Sequence, residues 1–450
     1  MYDIAVIGGG PGGYVAAIYA ALKGKKVILF EKDYVGGTCL NRGCIPTKTL
    51  LASAEIFEKI LKADTYGIIV NSPEPDFKKI FERKNNVVLK LRQGIEFLLK
   101  KRKVDIISSK VELTQDKIIL DESGNKYQAE NIIIATGSVP VELPFMKTDG
   151  NKILNSNHAL ELDEKPESVV IVGGGVIGVE FAGFYSAFGV KTDVVEMASE
   201  ILPYCDEEVG KRMKLIMKKK KVGIHTKTSV ISYKETDGSI ELNLNNGKTL
   251  NAEKVIVATG RKPVTESIKI DIEKDGNFIK TDLYMRTSVP GIYAIGDVTS
   301  KIQLAHVASA QALTAVNTIC GTEEEFDYSI IPSCVYSHPE ISWCGLTEKQ
   351  AEEKYGKINK GYFRFNVLGR AQAAGEEDGF VKIISDNKDN ILGVYIIGDK
   401  ATELISESVL AMKNKLTVRE WGKVMRPHPT YSEAVMEACH ELHGECVHSV

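Results

Sequence analysis

A chain of 450 residues with 43% hydrophobic and 26% charged side chains has the make-up of an ordinary globular protein of about two to four domains. Its net charge of −3 leaves no electrostatic footprint for nucleic acid or a membrane surface, and the run Lys218 to Lys221 reads as a solvated helix end. Eight cysteines are too sparse for a disulfide scaffold, no apolar run is long enough to span a bilayer, and Met1-Tyr2-Asp3 leads straight into a strand; a cytoplasmic chain without a leader is expected.

The chain opens with Ile4-Ala5-Val6-Ile7, a buried-strand pattern that runs into Gly8-Gly9-Gly10-Pro11-Gly12-Gly13. A small-residue helix and the strand Val27-Ile28-Leu29-Phe30-Glu31 follow. In this order Gly8 allows a tight turn and Gly10 lets backbone approach a pyrophosphate. Gly13 lets helix pack on strand, and Glu31 can accept from an adenosine ribose.

Next comes Gly36-Gly37-Thr38-Cys39-Leu40-Asn41-Arg42-Gly43-Cys44-Ile45-Pro46-Thr47-Lys48. Pro46 suits a first helical turn, so Cys44 is expected beside the unpaired N–H groups of a helix start, where a thiolate is favoured. Cys39 is expected in the preceding loop, within reach of an incoming thiol. The two cysteines alone leave a redox pair, a structural disulfide and a zinc half-site open; the flanking glycines and Pro-Thr-Lys favour the redox pair. Ala54 to Lys101 is helical in pattern, interrupted near Pro73 and Pro75.

The first pattern then returns. Val169-Val170-Ile171-Val172 enters Gly173-Gly174-Gly175-Val176-Ile177-Gly178, a helix carries Glu180, and Asp193-Val194-Val195-Glu196 closes the unit with an acid. Two dinucleotide sites are implied, and a carboxylate at Glu196 without an adjacent arginine favours NAD over NADP. Each unit also ends in an echo, Ile134-Ala135-Thr136-Gly137 in the first and Val257-Ala258-Thr259-Gly260 in the second. The strand Ile292 to Ile295 ends in Gly296-Asp297, and His306 after Leu304-Ala305 reads as a packing histidine. From Asp327 the strands alternate, as in an antiparallel sheet with helices on one side. His428-Pro429 lies five residues before Glu433, which can orient its ring as a base. The six other cysteines, including those of the tail cluster Cys439, His440, His443, Cys446 and His448, show no metal spacing that carries a site, and no metal is expected.

Over its whole length the sequence resembles the pyridine-nucleotide-disulfide oxidoreductases, and within them the branch that oxidises dihydrolipoamide. The cysteine stretch, the two glycine units, Ala258-Thr259-Gly260-Arg261, Gly296-Asp297, Tyr336-Ser337-His338-Pro339-Glu340 and His428 to Glu433 carry the likeness. It implies an α/β fold: two Rossmann-like three-layer nucleotide-binding domains plus a C-terminal α+β dimerisation domain. Residues 1–143 would bind FAD and hold the disulfide, 144–263 would bind NAD, 264–326 would complete the FAD domain, and 327–450 would form the interface of a homodimer.

The resemblance implies FAD contacts from Gly8, Gly10, Gly13, Glu31, Thr38, Lys48, Gly137, Asp297 and Ala305, and NAD contacts from Gly173, Gly175, Gly178, Glu196, Val230 and Gly260. Cys39, Cys44, His428, Glu433, Lys48 and Glu180 would be catalytic, with His428 reaching the second subunit's disulfide. Electrons would pass from dihydrolipoamide on a lipoyl-bearing protein, of a 2-oxo acid dehydrogenase or glycine cleavage system, through Cys39/Cys44 and FAD to NAD. A glutathione-reductase-like enzyme would use NADPH and carry two consecutive acids where Glu433 is followed by Ala434. A docking or structural flavoprotein would be indifferent to its cysteines. Three residues depart from the usual pattern: Val264 for an asparagine, Gln311 for an acid, and Arg426 for a histidine near the expected substrate mouth.

Overall fold

Apolar, β-branched runs such as Ile4–Ile7 and Val169–Val172 have no polar face to offer water, so they are stable only as strands covered on both sides. The computed structural model, which describes residues 1–236, 238–299 and 302–448, shows this twice. The chain divides into two compact units, one of Met1–Leu50, Glu74–Lys165 and Thr259–Asp327, the other of Leu51–Pro73, Pro166–Ala258 and Tyr328–Val450.

In the first unit five parallel strands lie in the order Ile292–Ala294, Ala129–Ile134, Tyr2–Ile7, Val27–Glu31, Asp105–Ser108. The helix Pro11–Leu22 packs on one side against the helix Ala305–Ile319, and Ile4, Val6, Leu29, Ala16 and Ala312 meet in one core cluster. Ala5, Ile7, Ile28 and Ile132 belong to another. The alternation puts successive strand residues into opposite clusters, as a sheet buried on both faces requires.

In the second unit the strands Gly223–His225, Lys191–Val195, Ser168–Val172 and Lys254–Val257 are parallel neighbours in that order. The echo noted in the sequence is an echo of hydrogen bonds: Ala135 N–H donates to Ile7 O at 2.8 Å, and Ala258 N–H donates to Val172 O at 2.8 Å. The same unit contains an antiparallel sheet in the order Ser333–Val335, Glu340–Gly345, Ile391–Gly398, Phe380–Ser385, Asn359–Arg364. Helices Ala401–Lys413 and Glu433–Leu442 pack on it. Gly361 permits the second of these contacts, because a Cβ there would stand 2.0 Å from Ala438 O.

Lys382, in that sheet, is buried with three carboxylates around its ammonium: Asp206 at 2.9 Å, Glu208 at 3.1 Å and Glu348 at 2.6 Å. These acids are close enough together to hold a metal ion, yet the lysine fills their centre. Burial pulls Lys382 towards neutrality, but the bonds from Glu348 and Asp206 outweigh it and hold the ammonium charged.

Candidate functional site

The two glycine loops are built alike. A Cβ at Gly13 would lie 1.8 Å from Gly8 O, and one at Gly178 would lie 1.9 Å from Gly173 O, so each helix sits on its loop at a distance that only glycine permits. Gly10 and Gly175 are the extended N-cap residues of the helices Pro11–Leu22 and Val176–Ala187. Neither helix has a side-chain cap or an acid in its first turn, which leaves N–H donors for an anion. The terminal acids answer one another too. Glu31 accepts from Gly9 N–H at 2.7 Å and Asp33 N–H at 2.9 Å; Glu196 accepts from Gly174 N–H at 2.6 Å and Ala198 N–H at 2.7 Å. These bonds fix each carboxylate and leave lone pairs for a ribose. Both loops therefore fit a dinucleotide.

The redox stretch grows out of the first loop. Gly36 N–H donates to Gly9 O at 2.8 Å, and Gly37 approaches so closely that a Cβ on it would stand 2.5 Å from Gly10 Cα. Gly37–Arg42 is a short helix, so Cys39 is helical rather than in a loop; the six residues between two glycines carry too little periodicity to reveal one turn and a half. Asn41 closes this turn by donating to the carbonyls of Val35 and Gly37 at 3.1 and 3.0 Å, and Arg92 Nε donates to Asn41 Oδ1 at 3.0 Å.

Cys44 is the first residue of the helix Cys44–Leu61, with Pro46 buried in its first turn, as expected. Thr47 donates through both N–H and Oγ1 to Gly43 O, at 3.0 and 2.7 Å. Both cysteines are thiols in the structure, and the Cys39 thiol is held far above its ordinary range by its hydrogen bond to Cys44 and by burial, while Lys48 pulls the other way. Lys48 follows Cys44 by four residues on the same helix and shares its face. Elsewhere burial disfavours the thiolate: it pushes Cys344 up to about 12 and raises Cys205 and Cys439 as well.

Sequence reasoning did not find a polar chain that surrounds Asp297. Arg261 Nε donates to Ser138 Oγ at 2.8 Å, its Nη2 to Ser138 O at 2.7 Å, and Ser138 Oγ donates to Asp297 Oδ2 at 2.6 Å. Burial raises the Asp297 carboxyl, offset by Ser138 and by the Arg261 charge. Burial also weakens the guanidinium's hold on its proton, which Asp297 and Cys44 oppose. The available signal was that Ser138 and Arg261 each follow an echo glycine; their strands Ser138–Pro140 and Arg261–Pro263 pair antiparallel. Gly137 and Gly260 have nothing within 4 Å of a built Cβ, and Ala305 opens the helix Ala305–Ile319. Thr38 lies 3.5 Å from Arg261 Nη2. His306 is exposed on its helix, not packed as expected, because the packing face of that turn is taken by Val307 and Ala308.

In the second unit Glu180 is 3% exposed and accepts from Tyr336 N–H at 3.0 Å, a bond no sequence signal announced. Val230 is buried at the start of the strand Val230–Thr236. His428 and Glu433 meet as expected: Nδ1 lies 2.8 Å from Glu433 Oε1, with the His428 side chain 78% exposed. Glu433 Oε2 accepts from Thr430 N–H at 2.7 Å, which fixes the carboxylate and through it the ring.

The departures from the family pattern are absorbed. Val264 makes its contacts through backbone, accepting from Thr136 Oγ1 at 2.6 Å and donating to Gly137 O at 2.9 Å. Gln311 accepts from Gly296 N–H at 2.7 Å, as an acid would. The Arg426 side chain is 3% exposed and pairs with Glu407.

Residues 2–312 match the family model for pyridine nucleotide-disulphide oxidoreductases, and residues 331–439 match that family's dimerisation domain. The chain belongs to the pyridine nucleotide-disulphide oxidoreductases. Within that family it is 40% identical to a dihydrolipoyl dehydrogenase of Bacillus subtilis, covering 99% of each chain, and 40% identical to one of Chlorobaculum tepidum, covering 97% of this chain and 96% of that one. The crystal structure of LpdA from Mycobacterium tuberculosis, 26% identical, superposes with a TM-score of 0.91 over 98% of this chain and 99% of that one. No helix among the described residues is long and apolar enough to cross a membrane.

Proposed function

We propose that this oxidoreductase is a dihydrolipoyl dehydrogenase: a homodimeric flavoprotein that moves electrons from dihydrolipoamide through Cys39 and Cys44 and FAD to NAD. The observation that carries the reading is the cysteine pair itself, seated by Gly37 on the Gly10 loop at a helix start, with Lys48 and Arg261 as its cations. The relatives at 40% identity, each covered over nearly its whole length, support the same reaction.

In this reading residues 1–143 and 264–326 hold the flavin, 144–263 the nicotinamide nucleotide, and 327–450 the dimer interface. Gly8, Gly10, Gly13 and Glu31 hold the adenosine and pyrophosphate of FAD, with Thr38, Lys48, Gly137, Asp297 and Ala305 along the rest. Gly173, Gly175, Gly178, Val230 and Gly260 serve NAD, and Glu196 repels a 2′-phosphate. FAD, when bound, supplies the two-electron exchange between a dithiol and a nicotinamide.

The protein's own residues do the rest. His428, oriented by Glu433, takes the proton of one substrate thiol, and the resulting thiolate attacks Sγ of Cys39 in the oxidised pair, breaking the Cys39–Cys44 bond and releasing Cys44 as thiolate. The second substrate thiol closes the lipoyl ring by displacing Cys39, which leaves both cysteines reduced. His428 serves the cysteine pair of the second copy, in keeping with its exposed ring. Glu180, buried in the second unit, would face the bound cofactors. The lipoyl group comes from a separate protein, of a 2-oxo acid dehydrogenase or glycine cleavage system.

The test is NAD reduction with dihydrolipoamide, and the reverse with NADH and lipoamide, in the parent and in Cys44→Ser. The reading expects turnover that Cys44→Ser abolishes while NADH still reduces ferricyanide. Activity with glutathione disulfide and NADPH instead would overturn it.

A further inference from the structure

The residues on either side of His428 are tied down in different ways, and one tie is made by the residue that departs from the family pattern. Downstream, Thr430 Oγ1 donates to Pro427 O at 2.7 Å, and Glu433 holds both Thr430 N–H and the His428 ring. Upstream, the Arg426 guanidinium runs inward. Its Nη1 donates to Trp421 O at 2.9 Å and to Val424 O, and its Nη2 pairs with Glu407, on the helix Ala401–Lys413. Glu407 also accepts from Trp421 Nε1–H at 2.7 Å, so indole, carboxylate and guanidinium close a ring of bonds around the end of the helix Val418–Gly422.

A guanidinium in a buried position keeps its charge only with such partners, and its planar fork satisfies several acceptors in a fixed direction. Met425, immediately before Arg426, is 93% exposed and supplies little packing. The position of the His428 backbone is therefore set upstream by Arg426.

We infer that Arg426 is a positioning residue for His428: through Glu407 and the Trp421 carbonyl it fixes the loop that presents the base to the thiol. The inference rests on the proposed function for its catalytic consequence, and on the loop alone for its structural one. The side chain's bonds go to Trp421, Val424 and Glu407, so its loss should spare electron flow from NADH to the flavin.

The experiment compares Arg426→Met, Arg426→Lys and Glu407→Gln with the parent flavoprotein. Expected are a fall of ten-fold or more in kcat for dihydrolipoamide oxidation in Arg426→Met, KM for NAD and NADH-ferricyanide activity within two-fold of the parent, recovery of at least three-fold in Arg426→Lys, and a fall in the same direction in Glu407→Gln. If Arg426→Met does not fold, the other two variants carry the test. A kcat within two-fold of the parent, or an equal fall in both activities, overturns the inference. Carbethoxylation of His428 by diethyl pyrocarbonate, followed by peptide mass spectrometry, reads the loop independently of substrate: a rate at least three-fold above the parent in Arg426→Met supports the inference, and an equal rate overturns it. Parent protein that reduces ferricyanide but not NAD from dihydrolipoamide contradicts the proposed function, and the carbethoxylation result then stands by itself.

Discussion

The two glycine loops are near copies in backbone. Gly8 and Gly173 have φ of +104° and +114°, and the N–H that returns to the loop carbonyl comes from Gly36 in one and Leu202 in the other, both at 2.8 Å. They differ in the residues that cover them. The first loop is met by Gly37 and the redox helix, clamped by Asn41 and Arg92, with the Arg92 guanidinium 3.7 Å from the Tyr34 ring centroid. The second is followed by Ile201 over Gly174 and by Asp206, which is held in the Lys382 cage, while a Cβ on Gly175 would meet nothing within 4 Å. The first cradle is roofed by the redox helix Gly37–Arg42, and the second is flanked by Ile201. The motif fits a dinucleotide in both, and the segment after the acid is where the two cradles differ.

The largest expected effect removes the roof's chemistry: Cys44→Ser should cut lipoamide turnover by at least about 10³-fold, measured against an unchanged NADH-ferricyanide rate. His428→Gln should follow with a loss of about 10²- to 10⁴-fold in the same assay. A sharper division comes from equal clashes in the two cradles. Gly13→Ala should yield protein with little bound flavin, read from its absorbance. Gly178→Ala should retain flavin and raise KM for NAD about ten-fold or more, and equal flavin loss in both would break the comparison.

Lys382→Met leaves three carboxylates facing one another and should cost about 3–5 kcal/mol of stability, seen as a lower Tm with flavin still bound. Glu348 is held below its ordinary 4.5: burial would raise it, but Lys360 and Lys382 prevail. A carboxyl depressed in the folded state adds stability above its unfolded pKa and loses it as pH falls through the folded value. Acid unfolding below pH 4.5 should therefore be less steep in Lys382→Met. The smallest effect is Glu196→Ser, which should narrow the preference for NAD over NADP by about ten-fold.

What the sequence made legible was local. Glycine spacing, the cysteines at positions 39 and 44, and a histidine five residues before its glutamate all lie within one turn or one loop, where spacing and geometry are nearly the same thing. The Arg261–Ser138–Asp297 chain joins residues 123 and 159 positions apart, and Lys382 meets Asp206 across 176, so neither leaves a spacing to read. Arg426 illustrates the same limit. Its position two residues before His428 gave no sign that Glu407 and the Trp421 carbonyl, brought by other helices, hold its guanidinium.

The central claim is that a thiolate stands beside a flavin, and anaerobic titration of the purified protein with NADH tests it most directly. Two-electron reduction of the parent should raise a long-wavelength absorption band that Cys44→Ser fails to develop. Straight bleaching of the parent's flavin with no such band, or a chain that takes up no flavin at all, would contradict the account.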